Sequence, residues 1–352
     1  MSPFIMKSIA SLASLAIVIC GCATAPRPGA IAKRTGDEIV VAGQFVHTGT
    51  PVVLWMDPGG YDAYRVERRL APLDQSSWET SHVAVAELKT PNRYGLRKAS
   101  ALTAEQLEQV RGGGWDLPLL QEVVDQFVIH FDVAGTSRQC FNTLHDVRDL
   151  SVHFMLDLDG TIYQTLDTKE RAWHATTSNT RSVGIEIANV GAYPTNNPTA
   201  LREWYLHDSL GHTRIRIPKR FGDGGIRTRN FVGQPARAEP VRGQIQGQEL
   251  VQYDFTPQQY EALIHLTAAL CKTFPKIRRD YPRDASGQLT PAKLPDEELE
   301  SYQGILGHYH VQRNKVDPGP AFQWDYVIAG ARELLWPTPR KSKGGAQAGL
   351  SR

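Results

Sequence analysis

A mixed α/β (α+β) chain is the fold class the sequence predicts, and three observations predict it. Between Gln126 and Asn189 lie QFVIHF, VHFML joined through DLDG to TIYQ, and SVGIEIAN, runs with the β-branched and aromatic content of buried strands. Upstream, ALTAEQLEQV has helical character, with Thr103 and Gln106 spaced as a capping box. Downstream, Thr256 and Pro257 open a second helix, with Gln259 completing its box and Tyr260, Leu263, Ile264, Leu270, Cys271 and Phe274 at near-helical spacing. That helix is expected to pack on the sheet.

The connections follow from local chemistry. Asp159-Gly160 marks a hairpin between VHFML and TIYQ, because glycine supplies the positive φ of a tight turn. From about Gly36 to Ser100, EIVVAGQFV and TPVVLWM, broken by DPGG and TPN, suggest strands and turns in an N-terminal region (36–115) to which the sequence assigns no role. Gly112 to Gly114 reads as a flexible turn, lacking the strand, lysine and helix of a phosphate loop. A polar stretch at about 195–252, including RIRIPKRFGDGGIRTRN, reads as a long insertion and a solvated loop rather than a patch for anionic polymer or membrane. Residues 336–352, ending in KSKGGAQAGLSR, are expected to be disordered.

With 352 residues, 41% hydrophobic and 22% charged, the chain has material for a real core, and no internal repeat points to a solenoid. A net charge of +2 without aromatic-basic interleaving argues against a nucleic-acid partner. Lys7 precedes an apolar run from Ile9 to Ile19, too short to span a bilayer, so residues 1–21 read as a signal peptide. Its end, Ile19-Cys20-Gly21-Cys22, resembles the lipobox of bacterial lipoproteins, with Cys22 as the lipid-modified residue and Pro-rich residues 22–35 as a tether. With Ala23 after it, that resemblance implies a cell-envelope protein on the outer membrane, facing the periplasm. Cys140 and Cys271 then remain, and either a disulfide or two buried thiols is open to them.

The chemistry concentrates in GHYHVQRNKVDPGPAFQW, Gly307 to Trp324. A hydrolytic zinc site takes three protein ligands from His, Cys, Asp and Glu and keeps one position open. His308 and Asp317 suit two of those places, and Pro318, Gly319 and Pro320 would fix the loop beneath Asp317. His130, polar within the apolar FVIHF, is the third candidate, since a buried imidazole needs partners for both nitrogens. Glu186, in SVGIEIAN, is a carboxylate among residues that want burial, where desolvation raises its pKa toward a general base's range. Lys315, two residues before Asp317, would share its face in an extended segment and stabilise an oxyanion.

In order, FVIHF, SVHFMLDLDGTIYQ, RAWHA, SVGIEIAN and GHYHVQRNKVDPGPAFQW resemble the zinc-dependent N-acetylmuramoyl-L-alanine amidases, which share a fold with phage lysozyme-type amidases and peptidoglycan recognition proteins. The resemblance implies a central mixed β-sheet flanked by helices in an amidase domain at 116–335. It further implies zinc on His130, His308 and Asp317, with Glu186 as general base and Lys315 as transition-state stabiliser. Trp173 and His174, in RAWHA, and His153, in SVHF, would line the substrate groove. His310 offers a competing imidazole, but His308 follows Gly307 as the family motif does; His212, after Gly211, has no lysine or aspartate behind it and reads as a decoy. The implied partner is peptidoglycan or a muropeptide, cleaved between N-acetylmuramic acid and L-alanine by a monomer held to the membrane through Cys22. Two alternatives stay open: a lipoprotein that binds peptidoglycan without cutting it, and a zinc peptidase of cell-wall peptides, the latter weakened by the lack of HExxH.

Overall fold

Six strands make the central sheet of the computed structural model, which describes residues 27–64, 94–97, 102–111 and 114–336. The expected signal peptide, Cys22 and nearly all of the C-terminal tail lie outside the described residues, as do Gly112 and Gly113. The chain divides into two compact units, Met1–Arg34 and Thr35–Arg352. In the first, residues 27–34 hold no helix or strand, only a turn in which the Ala30 N–H donates to the Arg27 carbonyl at 3.0 Å.

In the second unit the strands are β1 (Val52–Leu54), β2 (Gln126–Phe131), β3 (Phe154–Leu156), β4 (Ile162–Gln164), β5 (Ser182–Ile187) and β6 (Gly304–Gly307), ordered β6-β2-β5-β3-β4-β1. The first four in that order are mutually parallel, β4 runs antiparallel to β3, and β1 is parallel to β4. The sheet is therefore mixed, as expected, and helices flank it. Asp159-Gly160 turns the β3–β4 hairpin with Gly160 at φ +85°.

Strand alternation sorts the side chains onto two faces. Phe127, Ile129 and Phe131 of β2, with Val183, Ile185 and Ile187 of β5, join one large core with helices α1 (Leu117–Val123), α2 (Pro257–Thr273) and α3 (Trp324–Leu335). Each such buried side chain contributes about 1.5–3 kcal/mol relative to exposure. The opposite face carries two smaller apolar clusters, Val128 and Leu306 with Leu294 and Val311 at the β6 side, and Val53, Met155 and Tyr163 with Cys140 and Phe141 at the β1 side. Between them lie the polar side chains of His130 and Glu186. Cys140 and Cys271 are both buried and free, and the sheet stands between their clusters, so no disulfide forms.

The N-terminal region is built into this unit. β1 extends the sheet beyond β4, and a hairpin of Glu38–Val41 with Gln44–His47 is hooked to β4 by Gln164, which accepts from Val40 N–H at 2.7 Å and donates to the Val40 carbonyl at 2.8 Å. The insertion corrects a sequence expectation. It is ordered: Tyr193–Pro194, Gln248–Gln252 and Val241–Ile245 form a three-stranded sheet, and Tyr205–His207 pairs with Thr213–Ile215. Leu201, Trp204 and Tyr205 bury against Val190 and Val251, and Tyr205 stacks on Tyr253 at 4.0 Å. The arginine density concealed these aromatics; Arg214 pairs with Asp208 at 2.8 Å and Arg220 with Glu203. Among the described residues no helix is long and apolar enough to cross a membrane.

Both expected capping boxes are present. At the start of α2, the Thr256 hydroxyl accepts from Gln259 N–H at 3.0 Å and donates to the Leu158 carbonyl at 2.8 Å, tying helix to sheet. Thr256→Ala should therefore lower stability by about 1–2 kcal/mol. Urea unfolding would show this as a lower midpoint at constant slope; an unchanged midpoint would refute it.

Candidate active site

Three parallel strands end together, and their register assembles the site. His130 pairs with Glu186 across β2 and β5, while Gly307 pairs with Ile129 across β6 and β2, so His308, the next residue, comes up beside His130. His308 opens a single helical turn, His308–Val311, immediately after β6. Gly307 is required there, because a Cβ would lie 2.7 Å from Pro318 Cδ. The loop from Gln312 then returns Asp317, whose backbone carbonyl accepts from Tyr309 N–H at 3.2 Å. Gln252, at the end of the insertion, steadies the proline loop: its Nε2 donates to the Pro318 carbonyl at 3.0 Å and its Oε1 accepts from Ala321 N–H at 3.0 Å.

The result is a triangle of donor atoms. His130 Nδ1, His308 Nδ1 and Asp317 Oδ2 lie 2.9 Å from one another in all three pairs, and the three residues are 1%, 4% and 7% exposed. Their outer nitrogens already have partners. His308 Nε2 donates to Gln312 Oε1 at 2.6 Å, and His130 Nε2 donates to His174 Nδ1 at 3.0 Å, whose own Nε2 donates to Ser182 Oγ at 3.2 Å. In this assignment both Nδ1 atoms present lone pairs to an ionised carboxylate, with no hydrogen between them. Three acceptors at that spacing repel unless a cation sits among them, and two imidazoles with one carboxylate make a donor set for a divalent metal ion. The protonation equilibria agree. Burial, then the neighbouring His308, pushes His130 down to about 4, keeping it in the neutral, ligating form. Burial opposes ionisation of Asp317, but positive charge on His308 and hydrogen bonds from His130 and His308 outweigh it and hold that carboxyl well below the usual range, so a cation at this point, an imidazole proton or a metal ion, keeps it ionised.

Glu186 stands beside this centre, 9% exposed, with Oε1 4.0 Å from His130 Nδ1 and no hydrogen bond to Oε2 among the described residues. Burial first, then Asp317 and Asp132, raise its pKa well above the ordinary carboxyl value. With Lys315, Trp173, His174, His308 and Asp317 it lines a cavity of about 120 Å³. A larger groove of about 610 Å³ at Arg279, Arg332 and Trp336 contains no histidine, so size does not locate the chemistry.

Not every expected site residue reaches the cavity. His153 is completely buried: its Nε2 donates to the Glu170 carbonyl at 2.9 Å and its Nδ1 accepts from Gly184 N–H at 3.1 Å, so it is a structural residue behind the site and not a groove residue. His310 faces away, its Nδ1 accepting from Gly307 N–H at 2.8 Å and its Nε2 donating to the Thr290 carbonyl at 2.8 Å. His212 is exposed beside Asp208, in the insertion. His174 does line the cavity, and it also buttresses His130, a role the sequence did not suggest. Space for it comes from Gly184, where a Cβ would lie 2.4 Å from the His174 ring. Gln312 and Ser182 are likewise absent from the sequence reading; Gln312 carries only the signal of a polar residue four positions after His308, and Ser182 carries none.

Residues 120–320, more than half of the 352, match the family described as N-acetylmuramoyl-L-alanine amidase. Among solved structures, a selenomethionine derivative of AmpD is 15% identical with a TM-score of 0.31, covering 68% of this chain and 90% of that one. The endolysin amidase LysCS from Clostridium intestinale is 16% identical (TM-score 0.32; 60% and 86% covered), and E. coli AmiD, in complex with an anhydro-N-acetylmuramic acid peptide, is 18% identical (TM-score 0.33; 59% and 57%). No curated protein gives a significant match.

The donor triangle makes a direct prediction. Asp317→Ala should weaken Zn²⁺ or Co²⁺ affinity, measured by calorimetric titration, by at least about a hundredfold, whereas His310→Gln should leave it within a few-fold. Equal losses in the two variants would contradict the assignment.

Proposed function

We propose, on the premise that the chain belongs to the N-acetylmuramoyl-L-alanine amidase family, that His130, His308 and Asp317 hold one catalytic zinc ion and that Glu186 and Lys315 carry the proton and charge traffic. The chain is a peptidoglycan hydrolase, cleaving the amide between N-acetylmuramic acid and the L-alanine of the stem peptide. The observation that carries the metal reading is the set of three mutual 2.9 Å distances. Zinc in that position would supply Lewis acidity toward the scissile carbonyl and lower the pKa of water toward neutrality.

The protein groups supply the remaining steps. Glu186, which lines the cavity and has one carboxylate oxygen without a hydrogen-bond partner among the described residues, takes a proton from the attacking water and delivers it to the leaving amine nitrogen, turning that nitrogen into a competent leaving group. A carboxyl whose pKa is raised by burial suits this alternation better than an exposed one, because neither transfer is strongly uphill. Lys315 brings an ammonium to the same cavity, where negative charge develops on the carbonyl oxygen. Trp173 lines the wall and offers an apolar surface to the substrate. A binding-only role is less consistent with this site, because a buried carboxylate oxygen without a partner costs stability that recognition alone does not require.

We further propose that the protein is lipid-anchored through Cys22 and works on the periplasmic side of the outer membrane, a reading supported by the sequence around Ile19 to Ala23.

Glu186→Gln should lower kcat on muropeptides by on the order of 10² to 10⁴ while metal affinity stays near wild type. Mass analysis of released stem peptide reads the result, and full turnover in this variant would remove Glu186 from the mechanism. Cys22→Ser should shift the protein from the membrane to the soluble fraction of expressing cells; unchanged membrane recovery would refute the anchor.

A further inference from the structure

Among the described residues Arg97 is the largest of the completely buried side chains, and it lies outside the residues matched to the family. Strand Tyr94–Leu96 pairs antiparallel with Glu170–Ala172, which delivers Arg97 beneath the loop that carries Trp173 and His174. Its Nε and Nη2 donate to the Thr168 carbonyl at 3.0 and 2.7 Å, and its Nη1 donates to the carbonyls of Ser182 and Thr180 at 3.0 and 3.3 Å. Thr168 and Ser182 are the two ends of that loop. A guanidinium, with five donors in a rigid fork, can hold both ends at once, which an ammonium on a flexible stem cannot.

The clamp acts directly behind the site. One end, Ser182, begins β5, which leads to Glu186, and its Oγ receives the outer hydrogen of His174. Behind the same loop, Nδ1 of His153 accepts from Gly184 N–H, the residue on which the His174 ring rests. His174 in turn accepts from His130. A single buried cation therefore fixes the base on which the outer partner of a metal-binding histidine stands.

We propose that Arg97 is a positioning residue of the active site: by closing both ends of the 168–182 loop it holds His174 against His130, so the functional apparatus extends into the N-terminal region beyond the family-matched residues. This rests on the amidase reading of the His130 site. It implies that the N-terminal region is a part of the enzyme's working geometry.

The test uses the full chain with Arg97→Met, His174→Ala and the double variant, with Arg97→Lys as a milder probe should Arg97→Met fail to fold. Arg97→Met should lower kcat on muropeptides by on the order of 10- to 100-fold with KM nearly constant. In the His174→Ala background the same change should cost less than about threefold, because both act through one imidazole. Arg97→Lys should show the same pattern at smaller amplitude. A full multiplicative loss in the double variant, or unchanged kcat in Arg97→Met, overturns the proposal. Two readouts do not depend on turnover: Arg97→Met should speed amide exchange across residues 169–181 and weaken Zn²⁺ affinity by about 10- to 100-fold. If the wild-type chain released no stem peptide, the amidase reading would fall, while unchanged exchange and zinc affinity in Arg97→Met would sink the positioning role by itself.

Discussion

Two imidazole lone pairs and a carboxylate, pressed to 2.9 Å from each other inside a protein, constitute the constraint around which this molecule is organised. Unscreened electrostatics at that depth are severe, and a positive charge among the three, on an imidazole or on a bound metal ion, would balance them. The surroundings are consistent with that demand. Each of the two imidazoles has its outer nitrogen engaged, by Gln312 or by His174, so that neither can rotate to relieve the crowding. Glycine stands at two points of close approach, under His174 at position 184 and against Pro318 at position 307.

Parallel strand register is what brings residues so distant in the chain together. Because β6, β2 and β5 run the same way, their ends emerge at one edge, and two imidazoles and a carboxylate come side by side without any strained backbone of their own. The sheet then divides its labour by face. One face is sealed by helices and supplies the bulk of the hydrophobic core; the other leaves a polar strip, with His130 and Glu186 on it, between two apolar clusters.

Much of this was legible in the sequence because burial and polarity conflict locally. His130 in FVIHF and Glu186 in SVGIEIAN each contradict the apolar run around them, and that contradiction marks a group with work to do. The capped helix at Thr256 and the Asp159-Gly160 turn were legible because their signals span only three or four residues. What escaped has a common cause: it depends on contacts that local pattern does not encode. Arg97 sits in an unremarkable stretch, and only tertiary placement makes it a buried cation. His153 and His174 belong to motifs of similar polarity, yet one is sealed behind the site and the other touches His130. The insertion read as solvent-exposed since its arginines outnumber the aromatics that order it.

The placement of the ligands also ties chemistry to durability. His130 lies a little over a third of the way along the chain, whereas His308 and Asp317 lie just before the closing helix, so an ion held by all three would act as a rivet through the tertiary structure. By mass action, an ion present at a thousand times its dissociation constant adds about 4 kcal/mol to the folded state. Scarcity of that ion would therefore do more than silence the enzyme: it would loosen the C-terminal segment and expose it to proteases, coupling the lifetime of the hydrolase to the supply of the nutrient it needs.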